Sequence, residues 1–242
     1  MKQCIIFCHG WAGNVSFWSN LKPFFDAENI NTINFKYLDL GYFGNDHLIK
    51  SCSYNNLSTY VQQNKQLHFI GVGHSIGLIK LLSLNIEFKA LIGLQSFINF
   101  LGNDRLLNKQ RKLEWLSLKQ QFNHNSLDTL KNFYQLANLE PTFIKDLFNK
   151  KNQYYYLNKN LLIQDLELLS VNFSLYNNVP ILIVGAIDDV IAPPELIFDN
   201  FAHLKNVKID MLNTGRHSVG YRSAGLIYQK IKFFLQTNEY LM

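Results

Sequence analysis

No apolar run in these 242 residues approaches the roughly 20 residues that a membrane-spanning helix needs. The first run, Cys4–Cys8, ends at His9-Gly10, which is too short for the apolar region of a secretory signal. Cysteine is scarce, with three in the chain. Cys4 and Cys8 fall on one expected strand, where residues four apart are separated by about 13 Å and cannot bridge. Cys52 falls in an expected loop, and no His or Cys spacing suits a metal. These absences lead us to expect reduced thiols, a cytoplasmic protein, and neither metal nor cofactor. Repeats, low-complexity tracts and Pro/Gly-rich linkers are also missing, which argues against separate domains. The net charge is +5 and the pI about 9.0, yet the basic residues are scattered and no nucleic-acid motif accompanies them.

What is present is ordinary globular material, with 48% apolar and 17% charged residues. Phe (19) and Tyr (12) are plentiful enough to fill a core and line an apolar pocket. Six short apolar runs read as strands: Cys4–Cys8, Thr32–Leu38, Leu67–Val72, Ala90–Gln95, Pro180–Gly185 and Val207–Leu212. Their near-continuous apolar character suits strands buried on both faces. Helix-length stretches separate most of them: Asn14–Glu28, Asn55–Asn64, Gly77–Ile86 and Pro194–Leu204, with Gly220–Leu235 closing the chain. The alternation predicts a mostly parallel, roughly six-stranded α/β sheet. One stretch breaks it. Across 97–176 no strand run occurs, while apolar residues recur at helical spacing, as in Leu113, Trp115, Leu116, Leu118 and Phe122. About 80 residues are too many for a loop, so we expect a helical insertion there, with a core formed by 1–96 and 177–242. Thr142–Lys150 and Leu161–Leu169 are further helix candidates within it.

Gly73-His74-Ser75-Ile76-Gly77 is the motif with most chemistry. It joins a strand run to a helix run, and it reads G-x-S-x-G. A serine on so tight a turn is pushed out of the sheet edge, and flanking glycines let the turn close. The start of the following helix favours negative charge beside it. The pentapeptide also recurs by chance, so its partners decide the matter. A serine hydroxyl needs a base, a carboxylate to orient that base, and donors for an oxyanion. Of seven histidines, His217 alone follows the last strand. Asp188 and Asp189 both follow the fifth expected strand; we favour Asp188, three residues beyond Gly185. The side chain of His74 is expected to point away from the pocket. The Ile76 N–H and the Trp11 N–H, in His9-Gly10-Trp11, are the expected oxyanion donors, and Trp11 also suits aromatic packing.

His9-Gly10-Trp11, Asp39–Gly44, Gly73–Gly77, Gly185-x-x-Asp188 and His217, in this order, make the whole chain resemble the α/β-hydrolase superfamily. Within it, the short chain, the His-Gly-Trp start and the helical insertion resemble the pimeloyl-acyl-carrier-protein methyl ester esterases of biotin synthesis. The loop Asp39–Gly44 departs from the larger pattern in lacking the usual proline. The resemblance implies a serine carboxylesterase with Ser75, Asp188 and His217 as its triad, and we expect a monomer. It also implies a substrate ester carried on an acidic acyl carrier protein. Arg105, Arg111 and Lys112 are then the candidate docking residues, in a stretch (104–119) with five basic and two acidic side chains. A thioesterase or a carbon–carbon bond hydrolase or lyase would use the same triad, and a hydrolase-fold binding protein would not need it.

Overall fold

The computed structural model describes residues 2–27, 33–43, 51–84, 86–140, 157–175 and 179–240. Seven strands form one sheet: β1 (Gln3–Cys8), β2 (Ile33–Asp39), β3 (Ser51–Ser53), β4 (His68–His74), β5 (Phe88–Leu94), β6 (Ile181–Ala186) and β7 (Val207–Leu212). Their order across the sheet is β3-β2-β1-β4-β5-β6-β7, and every neighbouring pair is parallel. Six of them lie within two residues of the expected runs. The seventh, β3, is a three-residue polar segment on the sheet edge, where no buried face imposes an apolar pattern. The central strands β1 and β6 are buried along their whole length, whereas the other edge strand, β7, is only partly covered.

Helices cover the sheet: α1 (Lys22–Asp26), α2 (Leu57–Gln63), α3 (Ile76–Leu82), α7 (Pro194–Phe201), α8 (Val219–Arg222) and α9 (Ala224–Thr237). The single helix expected over Asn14–Glu28 is instead a 3-10 turn, Val15–Trp18, followed by α1. Asn14 Oδ1 caps the turn by accepting from Ser16 N–H at 2.9 Å, and Pro23 sits in the first turn of α1. The closing helix is likewise broken, at Ser223.

Between β5 and β6 lie α4 (Arg105–His124), α5 (Ser126–Leu136) and α6 (Lys159–Glu167). The candidate helix Thr142–Lys150 lies outside the described residues. The chain leaves β5 through a loop held by α7. Asn200 Oδ1 accepts from the N–H groups of Ile98 and Asn99 at 2.8 and 2.7 Å, and Asp199 accepts from those of Asn103 and Asp104. Asp104 then caps α4 by accepting from Leu106 and Leu107 N–H. Farther along, α6 is tied to the core beneath it. Lys80 of α3 donates to Asp165 of α6 at 2.9 Å, Tyr42 donates to the same carboxylate, and all three side chains are buried. No helix among the described residues is long and apolar enough to cross a membrane.

Candidate functional site

In a parallel sheet every strand points the same way, so the loops after β1, β4, β6 and β7 open on one edge, the usual place for a site in such folds. Ser75 follows β4 on that edge. Its φ is 54° and its ψ −126°, a conformation that costs a non-glycine residue about 1–3 kcal/mol. The bend is imposed from both sides. A Cβ on Gly77 would lie 2.3 Å from the Cys8 carbonyl oxygen, so α3 presses its backbone directly on β1. A Cβ on Gly10 would lie 2.7 Å from His74 Nδ1 and 3.1 Å from Ser75 Cβ, so the β1 loop runs against the serine. The Ser75 N–H donates to Leu94 O at 3.0 Å, which ties the bend to β5.

The β1 loop is held by His9, which is fully buried. Its Nδ1–H donates to Gly10 O at 2.9 Å, and its Nε2 accepts from Leu40 N–H at 3.2 Å. Those two bonds fix the ring as the Nδ1–H tautomer. Next to it, Trp11 packs edge-on against Phe122 and Phe133 and donates from Nε1 to Leu162 O at 2.9 Å, so its side chain serves packing. No backbone carbonyl among the described residues accepts from the Trp11 N–H. Ile76 opens α3, so its N–H has no acceptor within the helix.

His217 lies after β7 and is 1% exposed. Its Nδ1–H donates to Asp189 Oδ2 at 2.8 Å. Its Nε2 is buried with no hydrogen-bond partner among the described residues. With the proton on Nδ1, Nε2 carries the free lone pair of a base. Here the structure corrects the sequence reading, since the carboxylate that meets His217 belongs to Asp189 and not to Asp188. The exit loop of β6 turns tightly, with Asp189 N–H donating to Ala186 O at 3.2 Å, and this swings residue 189 inward. Asp188 faces out and accepts from the N–H of Arg216 at 2.8 Å. It thereby steadies the loop that carries His217 without touching the ring. Asp189 Oδ1 also accepts from Ile191 and Ala192 N–H at 2.8 and 3.1 Å. Burial alone would raise the Asp189 carboxyl, but the His217 ring and these two amides outweigh it and hold the pKa below the ordinary carboxylate value.

Two further residues, given no role in the sequence reading, lie on this edge. His74, expected to point away, lies beside His217 with ring centroids 5.0 Å apart. Its Nε2–H donates to the His217 carbonyl at 2.9 Å, and Phe17 stacks on it at 4.1 Å. Burial first, and then the neighbouring His217, push its pKa well below the ordinary histidine value, so it stays neutral. Gln95, with φ of 49°, is fully buried after β5 and accepts at Oε1 from Val219 N–H at 3.0 Å. Its position after a strand, on the same edge as Ser75, was the available signal.

The expected docking residues part company. Arg105 and Lys112 are exposed on α4, but Arg111 is 3% exposed and turns inward, which corrects its placement on an outward basic face. It donates to Glu114 at 2.7 Å and to Ile191 O at 3.1 Å, and so ties α4 to the loop of Asp189.

No family model matches the chain, and no curated protein matches it. Solved structures do resemble it. A lipase-esterase related protein from Clostridium acetobutylicum superposes with a TM-score of 0.66 at 17% identity, over 96% of this chain and 94% of that one. An esterase from Exiguobacterium antarcticum gives 0.69 at 15% identity, over 97% and 92%. MenH from S. aureus gives 0.70 at 16% identity, over 98% and 94%. At such identities the likeness is one of fold.

Proposed function

We propose that this chain, which has the α/β-hydrolase fold, is a serine hydrolase acting on carboxylic esters. The observation that carries the reading is the buried Asp189–His217 pair, whose free Nε2 lies on the same sheet edge as a serine held at a strained bend. Two of the similar structures are described as esterases or as esterase-related, which agrees with it.

In this mechanism Ser75 Oγ attacks the ester carbonyl carbon while His217 Nε2 takes its proton. Asp189 holds the ring by Nδ1 and balances the imidazolium charge. The Trp11 and Ile76 N–H groups stabilise the oxyanion. Collapse of the intermediate expels the alcohol, which leaves with the proton from Nε2. Water, deprotonated by His217, then attacks the acyl-enzyme, and Ser75 recovers its proton as the acid departs.

The test is Ser75→Ala. It removes hydrolysis of p-nitrophenyl esters and covalent labelling by a fluorophosphonate, with the fold unchanged by circular dichroism. Labelling that persists in the variant would falsify the assignment. The finer reading, a cytoplasmic methyl esterase for a pimeloyl chain on an acyl carrier protein, now rests on Arg105 and Lys112 without Arg111. The same panel decides it: Arg105→Glu with Lys112→Glu slows a carrier-bound ester and spares a free one, and equal rates on both would remove the carrier.

A further inference from the structure

A cleft of about 490 Å³ runs between α4 and α5 and reaches the exit loop of β6. That volume is within the roughly 300–1,000 Å³ typical of small-molecule pockets. Phe100, Trp115, Leu118, Phe133, Leu136 and Val190 supply most of its apolar wall. Leu113, Leu136 and Val190 line it while remaining exposed, so its rim is apolar as well as its depth. An exposed apolar rim around a cavity of this size marks a place for an apolar ligand.

One ring touches both this cleft and the serine edge. Phe133 lines the cleft and stands edge-on to two residues of the site: the Trp11 ring at 5.0 Å and the His217 ring at 6.4 Å between centroids. Neither Ser75 nor His217 lines the cleft itself. We infer that the cleft between α4 and α5 is the acyl-chain subsite and that Phe133 stands in its entrance, setting the length of acyl group that reaches Ser75. The inference rests on the serine-hydrolase reading above and adds the substrate class, esters of apolar acids. A short acyl group is accommodated in front of the ring, whereas a longer one must displace it.

Each methylene buried in the cleft is worth about fourfold in kcat/KM, equivalent to ~0.8 kcal/mol. The experiment compares p-nitrophenyl octanoate with the butyrate in the wild type and in Phe133→Ala. The octanoate-to-butyrate ratio of kcat/KM is expected to rise at least tenfold. Leu118→Trp, added to Phe133→Ala, refills the cleft and returns the ratio to the wild-type value. Should Phe133→Ala not fold, Phe133→Leu carries the test with a rise of at least threefold. An unchanged ratio, an equal loss on both esters, or a ratio that survives Leu118→Trp overturns the inference. Ser75-dependent hydrolysis in the wild type with an unmoved ratio defeats the subsite alone; absence of that hydrolysis defeats the serine-hydrolase reading.

Discussion

At the scale of single residues, the carboxylate beside His217 is the sharpest case. Asp188 and Asp189 are adjacent, and adjacent side chains point apart, so spacing from Gly185 could not choose between them. The turn from Ala186 O to Asp189 N–H makes the choice, and such a turn leaves no distinct sequence signature. Asp189→Asn is expected to lower kcat by about 10⁴, because the amide can hold the wrong imidazole tautomer. Asp188→Asn, which only weakens a loop contact, is expected to cost about tenfold or less. Steady-state kinetics on one ester, with both variants side by side, checks this; the reverse ranking would restore Asp188. The sign with pH is fixed too. The folded-state pKa of Asp189 lies below its unfolded value, so its stabilising contribution is complete above the unfolded value and is lost as pH falls through the folded one. The contact of His74 with His217 was hidden for a related reason. Its place in the motif is visible in the sequence, but the close pass of Gly10 and the Phe17 stack that turn its ring toward His217 are not.

Among the elements, strands were the easiest to read and the inserted helices the hardest. Buried parallel strands announce themselves as apolar runs, and six were legible within two residues. Helix α4 gives away its periodicity but not its facing, since whether Arg111 turns out or in depends on the loop it meets. The tie between α3 and α6 was not legible at all. Lys80, Asp165 and Tyr42 are far apart in sequence, and a lysine inside an apolar helix run looks like a solvated residue. Asp165→Asn strands the Lys80 ammonium away from water. The expected loss is about 3–5 kcal/mol in unfolding free energy, measured by urea denaturation. A loss below about 1 kcal/mol would mean that the ammonium finds water instead.

For the molecule as a whole, the three thiols give a simple readout. Burial pushes the Cys4 thiol up to about 11 and the Cys8 thiol higher still, whereas Cys52 is partly exposed on the edge strand. A thiol-reactive dye is therefore expected to modify Cys52 quickly in the native protein. Cys4 and Cys8 react only as fast as the sheet opens, and all three react at once in denaturant. Fast reaction of all three in the native state would contradict the burial of β1.

The order of the strands has a consequence for partly made chains. Ser75 is fixed by β1, β4 and β5, all from the first 94 residues, but Asp189 and His217 arrive only with β6 and β7. A chain cut short in the inserted helices contains the strands that fix Ser75 but neither Asp189 nor His217. Under the proposed mechanism a prematurely terminated chain therefore lacks both the base and the carboxylate that orients it, because that half of the site is the last to be synthesised.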